Sequence, residues 1–166
     1  MTDSGTVVIG LGNPLMGDDG IGLMLLARLT AEWVIEPEVA LVDGGTWGMN
    51  LLPTIEDAGR LILLDAIDVG TEPGVVVELA RDQIPRFLAT KISPHQVDLR
   101  DVLAVAELRR TLPDDTIAIG LQPAVVTLSE ELTPVVHAAL DRGMVAVIAA
   151  LEHRGHRVVR REPAVA

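Results

Sequence analysis

Two uninterrupted apolar runs, Thr6–Leu11 and residues 61–64, constrain this chain more than any other feature. Each is too short for a buried helix, and each stops at turn chemistry: Gly12 after the first, Asp65 after the second. A short strand that is apolar at every position is buried on both faces, as in the middle of a parallel sheet. Further strands are expected at 39–42, 74–79 and 116–121. Between them the apolar period changes. Ile21, Met24, Leu25, Leu29 and Trp33 recur at helical spacing, and Leu99, Val102, Leu103 and Ala106 share one face of a helix over 97–110. A short helix is expected over 48–56, and a helical turn with a loop over 82–92. Thr133-Pro134 reads as an N-cap followed by proline at the first helical position, opening a last helix that reaches about His153.

Strands alternating with helices give an α/β fold: a three-layer sandwich with a twisted, mostly parallel five-stranded sheet and helices on both faces. A chain of 166 residues, nearly half of them apolar, forms one domain over 1–166. The basic tail, about 155–166 with Arg157, Arg160 and Arg161, is expected to fray. The formal net charge of −11 argues against nucleic-acid partners and anionic membranes. No charge-free apolar run approaches the ~18 residues of a membrane span, so no membrane insertion is expected. There is no cysteine, which excludes thiolate chemistry and disulfides. The N-terminus does not read as a signal peptide, and the expected location is cytoplasmic.

The chemistry concentrates where strands end. Gly10-Leu11-Gly12-Asn13-Pro14-Leu15-Met16-Gly17-Asp18-Asp19-Gly20 reads as strand, glycine turn, paired carboxylates, helix start. It is not a dinucleotide fingerprint. Leu15 stands where the third glycine belongs, and two aspartates at a helix N-terminus would repel a pyrophosphate. Residues one apart on a helix point about 100° apart, so only one of Asp18 and Asp19 is expected to face a site. In open α/β sheets ligands bind beyond the carboxyl ends of the strands. That edge would collect Asp19, Asp43 and Asp65, with His95 of the Ser93-Pro94-His95-Gln96 loop returning to it. Each also has a plainer reading: helix-dipole complementarity for Asp18 and Asp19, turn chemistry for Asp43, Asp65 and Asp68, solvation for His95. His153 and His156 read as solvated tail residues. Gly44-Gly45-Thr46-Trp47-Gly48-Met49 is either a loop packed on the core or a surface for a peptide segment.

The ordered set of motifs resembles the hydrogenase maturation endopeptidases. It comprises Gly10-Leu11-Gly12-Asn13 with Gly17-Asp18-Asp19-Gly20-Ile21-Gly22, Asp43-Gly44-Gly45-Thr46 with Gly48-Met49, Asp65-Ala66-Ile67, Lys91-Ile92-Ser93-Pro94-His95-Gln96, and Gly120-Leu121-Gln122-Pro123. It spans roughly residues 6 to 150. The resemblance implies a protease, of aspartyl or metal-dependent type, that removes a C-terminal extension from a nickel–iron hydrogenase large-subunit precursor. It implies nickel, carried by the substrate, and a catalytic and metal-binding set of Asp19, Asp65 and His95. The first of these positions is Glu in some members, so Asp19 reaches one methylene less. Gly44, Gly45, Thr46 and Met49 would contact the peptide. The runner-up is a non-catalytic nickel-binding maturation chaperone using the same three residues.

Overall fold

The computed structural model describes residues 5–45, 47–89 and 94–165, and the side chains of all of these except 87–89 and 94–98. Strand β1 (Thr6–Leu11) leads through a 3-10 turn (Gly17–Gly20) into helix α1 (Ile21–Glu32). Strands β2 (Trp33–Glu36) and β3 (Ala40–Gly45) follow, then a second 3-10 turn (Gly48–Leu51), α2 (Leu52–Asp57), β4 (Arg60–Ala66) and β5 (Val76–Ala80). The chain continues through α3 (Ile84–Ala89), α4 (Pro94–Leu108), β6 (Asp115–Leu121), α5 (Pro134–His153) and β7 (Arg157–Arg160).

The main sheet has five strands in the order β3-β1-β4-β6-β5, all parallel except β5, which runs antiparallel to β6. Register explains why its central strands are apolar throughout. Val8, Ile62 and Ile117 align across β1, β4 and β6, and so do Ile9, Leu63 and Ala118 one position on. Successive side chains alternate faces. The first row packs with Ile21, Leu25 and Leu29 of α1 and with Val136, Leu140 and Val147 of α5. The second packs with Ile55 of α2 and Leu99, Val102 and Ala106 of α4. Both faces are therefore helix-covered, and the three-layer expectation holds. Burial of each such Leu or Ile side chain contributes about 1.5–3 kcal/mol. Helix α5 is long and apolar enough to cross a bilayer on composition alone, yet its buried stripe from Val136 to Leu151 lies against the sheet.

Four local expectations change. Trp33 does not continue α1 but opens β2, and Met24 lies half-exposed, away from the buried Ile21, Leu25, Leu26 and Leu29. His95 is not in a loop: Pro94 begins α4, since a proline at the first helical position forfeits no intrahelical bond. The tail after Gly155 does not fray over Arg157–Arg160. It forms β7, antiparallel to β2, with Val34 opposite Val159 and Ile35 opposite Val158. Its cations are paired, Arg157 with Glu36 and Arg160 with Glu32, and Arg160 lies 5.7 Å from the Trp33 ring centre. His156, finally, is buried rather than solvated. Its Nδ1 lies 2.9 Å from the Pro37 carbonyl, an acceptor only, so Nδ1 carries a proton; its Nε2 meets the Thr6 hydroxyl at 2.8 Å. One imidazole thus ties the tail to the start of β1.

Candidate active site

The carboxyl ends of β1 and β4 form the cleft of the sheet. The connection out of β1 passes through α1 on one face, whereas the chain after β4 returns through α3 and α4 on the other. Neighbouring strands whose connections leave on opposite faces open a crevice between them. The turn after β1 is pressed into it. Gly12 has φ +126°, and a Cβ there would lie 2.0 Å from the Asp19 carbonyl oxygen. A Cβ on Gly22 would lie 2.1 Å from the Leu64 carbonyl oxygen and 2.5 Å from that of Leu11. Only glycine allows the first residues of α1 to wedge between the two strand ends.

The two adjacent aspartates are separated by this turn. Asp18 is fully buried and faces the loop between β6 and α5. Its Oδ2 accepts the amides of Ala124 at 2.8 Å and Val125 at 3.0 Å. Its Oδ1 accepts the Thr133 amide at 2.7 Å, and the Thr133 hydroxyl donates to Oδ2 at 2.9 Å. Asp18 is a structural staple. Asp19, 4% exposed, points the other way, and its Oδ2 accepts the Asn13 amide at 3.0 Å. Asn13 Oδ1 in turn accepts the Leu15 amide at 3.0 Å, closing an Asx turn.

Asp65, 3% exposed, is the penultimate residue of β4, and its Oδ1 accepts the following amide, that of Ala66, at 2.8 Å. Asp19, in the 3-10 turn that packs on β4, and Asp65, near the end of β4, therefore lie at the same carboxyl edge of the sheet. Buried carboxylates are costly without donors or a cation. Asp43 reaches the same carboxyl edge, in register with Gly10 of β1, but on the edge strand β3 and exposed rather than buried. His95 lies in the first turn of α4, but its side chain is outside the described residues, as is Thr46. Among the described residues, no three His, Cys, Asp or Glu side chains form a metal site. Of the peptide-contact candidates, Gly44 and Gly45 end β3 and Met49 is half-exposed in the following 3-10 turn, beside an exposed Trp47.

Gln122 is the functional-edge residue whose role the sequence pattern left unassigned. It is buried just past β6. Its Oε1 accepts the Val69 amide at 2.9 Å and the Thr71 amide at 3.3 Å, while its Nε2 donates to Asp68 Oδ1 at 2.9 Å. It thereby fixes the loop that leaves Asp65. The clue was available: a polar residue directly after an apolar strand, as at Asp65. Asp68 is turn chemistry as expected, accepting the Gly70 amide at 3.0 Å.

Known proteins resemble this chain in sequence and in overall fold. Residues 24–150 match the family described as hydrogenase maturation protease. The hydrogenase 2 maturation protease of Escherichia coli K12 is 33% identical over 157 residues, covering 94% of this chain and 96% of its own. The hydrogenase expression/formation protein HupD of Rhodobacter capsulatus is 36% identical over 158 residues, covering 93% of this chain and 74% of its own. In structure the chain is similar to the hydrogenase maturating endopeptidase HybD of E. coli, with a TM-score of 0.89 and 32% identity, over 94% of this chain and 97% of that one. Fold, motif order and kinship converge, and the chain belongs to the hydrogenase maturation proteases, a family of endopeptidases.

Proposed function

We propose that this protein removes the C-terminal extension of a nickel–iron hydrogenase large-subunit precursor after nickel insertion, with the precursor's nickel as the recognition element. The observation that carries the proposal is the pair Asp19 and Asp65, both nearly fully buried at the carboxyl edge of the sheet, Asp19 in the 3-10 turn that packs on β4 and Asp65 near the end of β4 itself. Hard carboxylate oxygens and an imidazole suit a divalent ion such as Ni²⁺. Asp19, Asp65 and His95 would hold the nickel that the precursor presents, and the two carboxylates would offset its charge.

Held in this way, the nickel orients the extension over the crevice. Hydrolysis then needs a base for the attacking water. A carboxylate of the Asp19 and Asp65 pair takes the water proton, the water oxygen bonds to the carbonyl carbon, the C–N bond breaks, and the proton passes to the leaving amine. Gly44, Gly45, Thr46 and Met49 are the proposed contacts for the extended peptide. Gly44 and Gly45 keep the end of β3 free of side chains, and Met49 with Trp47 offers apolar area. We place the activity in the cytoplasm, which fits a cysteine-free chain.

A turnover assay tests this reading. The protein is mixed with a molar excess of nickel-loaded precursor, and the loss of the extension is followed by mass spectrometry. Many precursors cut per protein molecule is the expected result. Cutting that stops at one equivalent, or none, would favour a nickel-binding chaperone.

A further inference from the structure

The segment after β6, Pro123-Ala124-Val125-Val126-Thr127-Leu128-Ser129, carries no charge in a chain of net charge −11. It lies alongside the equally uncharged Asn13-Pro14-Leu15-Met16-Gly17. The two are laced together by backbone bonds: Gly17 N–H to Ser129 O at 2.8 Å, Ser129 N–H to Leu15 O at 2.9 Å and Asp18 N–H to Val125 O at 3.1 Å. The Asp18 carboxylate fastens the same pair from beneath, through the amides of Ala124 and Val125. On this fixed backbone, large apolar side chains face water. Leu15 is 50% exposed, Val125 47%, Val126 44% and Leu128 84%. A shallow groove of about 150 Å³ is lined by Pro14, Gly20, Met24 and Leu132, with Glu130 as its one charged wall.

We propose that this platform docks the folded body of the large-subunit precursor, through an apolar surface flanking the root of its C-terminal extension. The inference rests on the proposed function above. Three observations favour a docking surface here, and the first of them selects this occupant. First, the platform is continuous with the site: Leu15 is four residues from Asp19, and Asn13 donates directly to the Asp19 carboxylate. A precursor whose extension reaches Asp19 brings its adjoining surface over Leu15 and the 125–128 segment. Second, exposed apolar side chains gathered in one patch mark interaction surfaces, whereas isolated ones do not. Third, the patch is held by hydrogen bonds to buried groups, so its shape is set before binding and little ordering entropy is lost on contact. The peptide contacts near Met49 would read the extension, and this surface would read the protein that carries it.

The test compares steady-state processing of the nickel-loaded full-length precursor by the wild-type chain and by Leu128→Asp and Val126→Asp, with Leu128→Ser as a milder variant. Melting temperatures establish that each variant is folded. KM is expected to rise about tenfold or more for the aspartate variants, with kcat unchanged at saturating precursor. An unchanged KM in folded variants overturns the proposal, and so does a loss confined to kcat. A wild-type dimer in sedimentation that Leu128→Asp turns into a monomer also overturns it, since a second copy would then cover the patch. A wild-type chain that leaves the precursor uncut instead contradicts the proposed function itself.

Discussion

Asp18 and Thr133 stand 115 residues apart in the chain and are joined at both ends of one carboxylate: the Thr133 amide donates to Oδ1 at 2.7 Å and its hydroxyl to Oδ2 at 2.9 Å. The first residue ahead of α5 is thereby fixed to the turn ahead of α1, across the carboxyl edge of the sheet. The neighbouring Asp19 inherits its placement from that bond set.

Removing this carboxylate breaks several hydrogen bonds at once. Asp18→Ala leaves the part-buried amides of Ala124, Val125 and Thr133 without their acceptor, and a hydrogen bond to a charged group contributes about 1.5–3 kcal/mol. A loss of about 3 kcal/mol or more in unfolding free energy is expected from urea denaturation at neutral pH. A variant as stable as the parent would mean that Asp18 is not a staple.

Asp19 and Asp65 should behave in the opposite way. Asp19→Asn and Asp65→Asn keep shape and hydrogen-bonding size but remove the charge. Precursor processing is expected to fall about a hundredfold or more, with little change in melting temperature. His95→Ala should lose processing as well. Normal cleavage by any one of these purified variants would remove that residue from the mechanism.

Parts of this architecture were legible in the sequence and parts were not, for physical reasons. β1 and β4 announce themselves because strands buried on both faces need an apolar residue at every position. β2 and β7 do not: each has four residues, and the run Arg157-Val158-Val159-Arg160 looks like a solvated tail until Val158 is seen packing against the core. The start of α4 is hidden in the sequence because Ser93-Pro94 reads as a loop, although proline tolerates the first helical turn. The division of labour between Asp18 and Asp19 was legible only in part. Their adjacency implies that they point apart, but the partners of Asp18 lie more than a hundred residues away. The burial of His156 is illegible in the sequence for the same reason, because its partners at Thr6 and Pro37 are remote in the chain.

The glycine wedge gives a steric prediction. A methyl group at position 22 would meet two backbone oxygens that belong to central strands and have nowhere to go. Gly22→Ala is expected to lift α1 from the crevice, lower stability by about 3 kcal/mol and reduce processing. Chemical denaturation and the processing assay read the two effects separately. Unaltered stability and activity would show that α1 does not need its close approach to Leu64.

The tail offers a test away from the site. His156→Ala removes a buried imidazole with partners at both nitrogens, at an expected loss of about 1–3 kcal/mol. Differential scanning calorimetry should show a lower midpoint while processing at room temperature persists. An unchanged midpoint would return the tail to the role of an ornament on the fold.

The central claim is that this endopeptidase reads nickel held by its substrate. The most direct measurement is cleavage of one purified large-subunit precursor, prepared with and without nickel and followed by intact-mass spectrometry. The nickel-loaded form is expected to lose its C-terminal extension, and the nickel-free form to stay whole. Equal cleavage of both forms would contradict the claim and point to a hydrolase that needs no metal on its substrate.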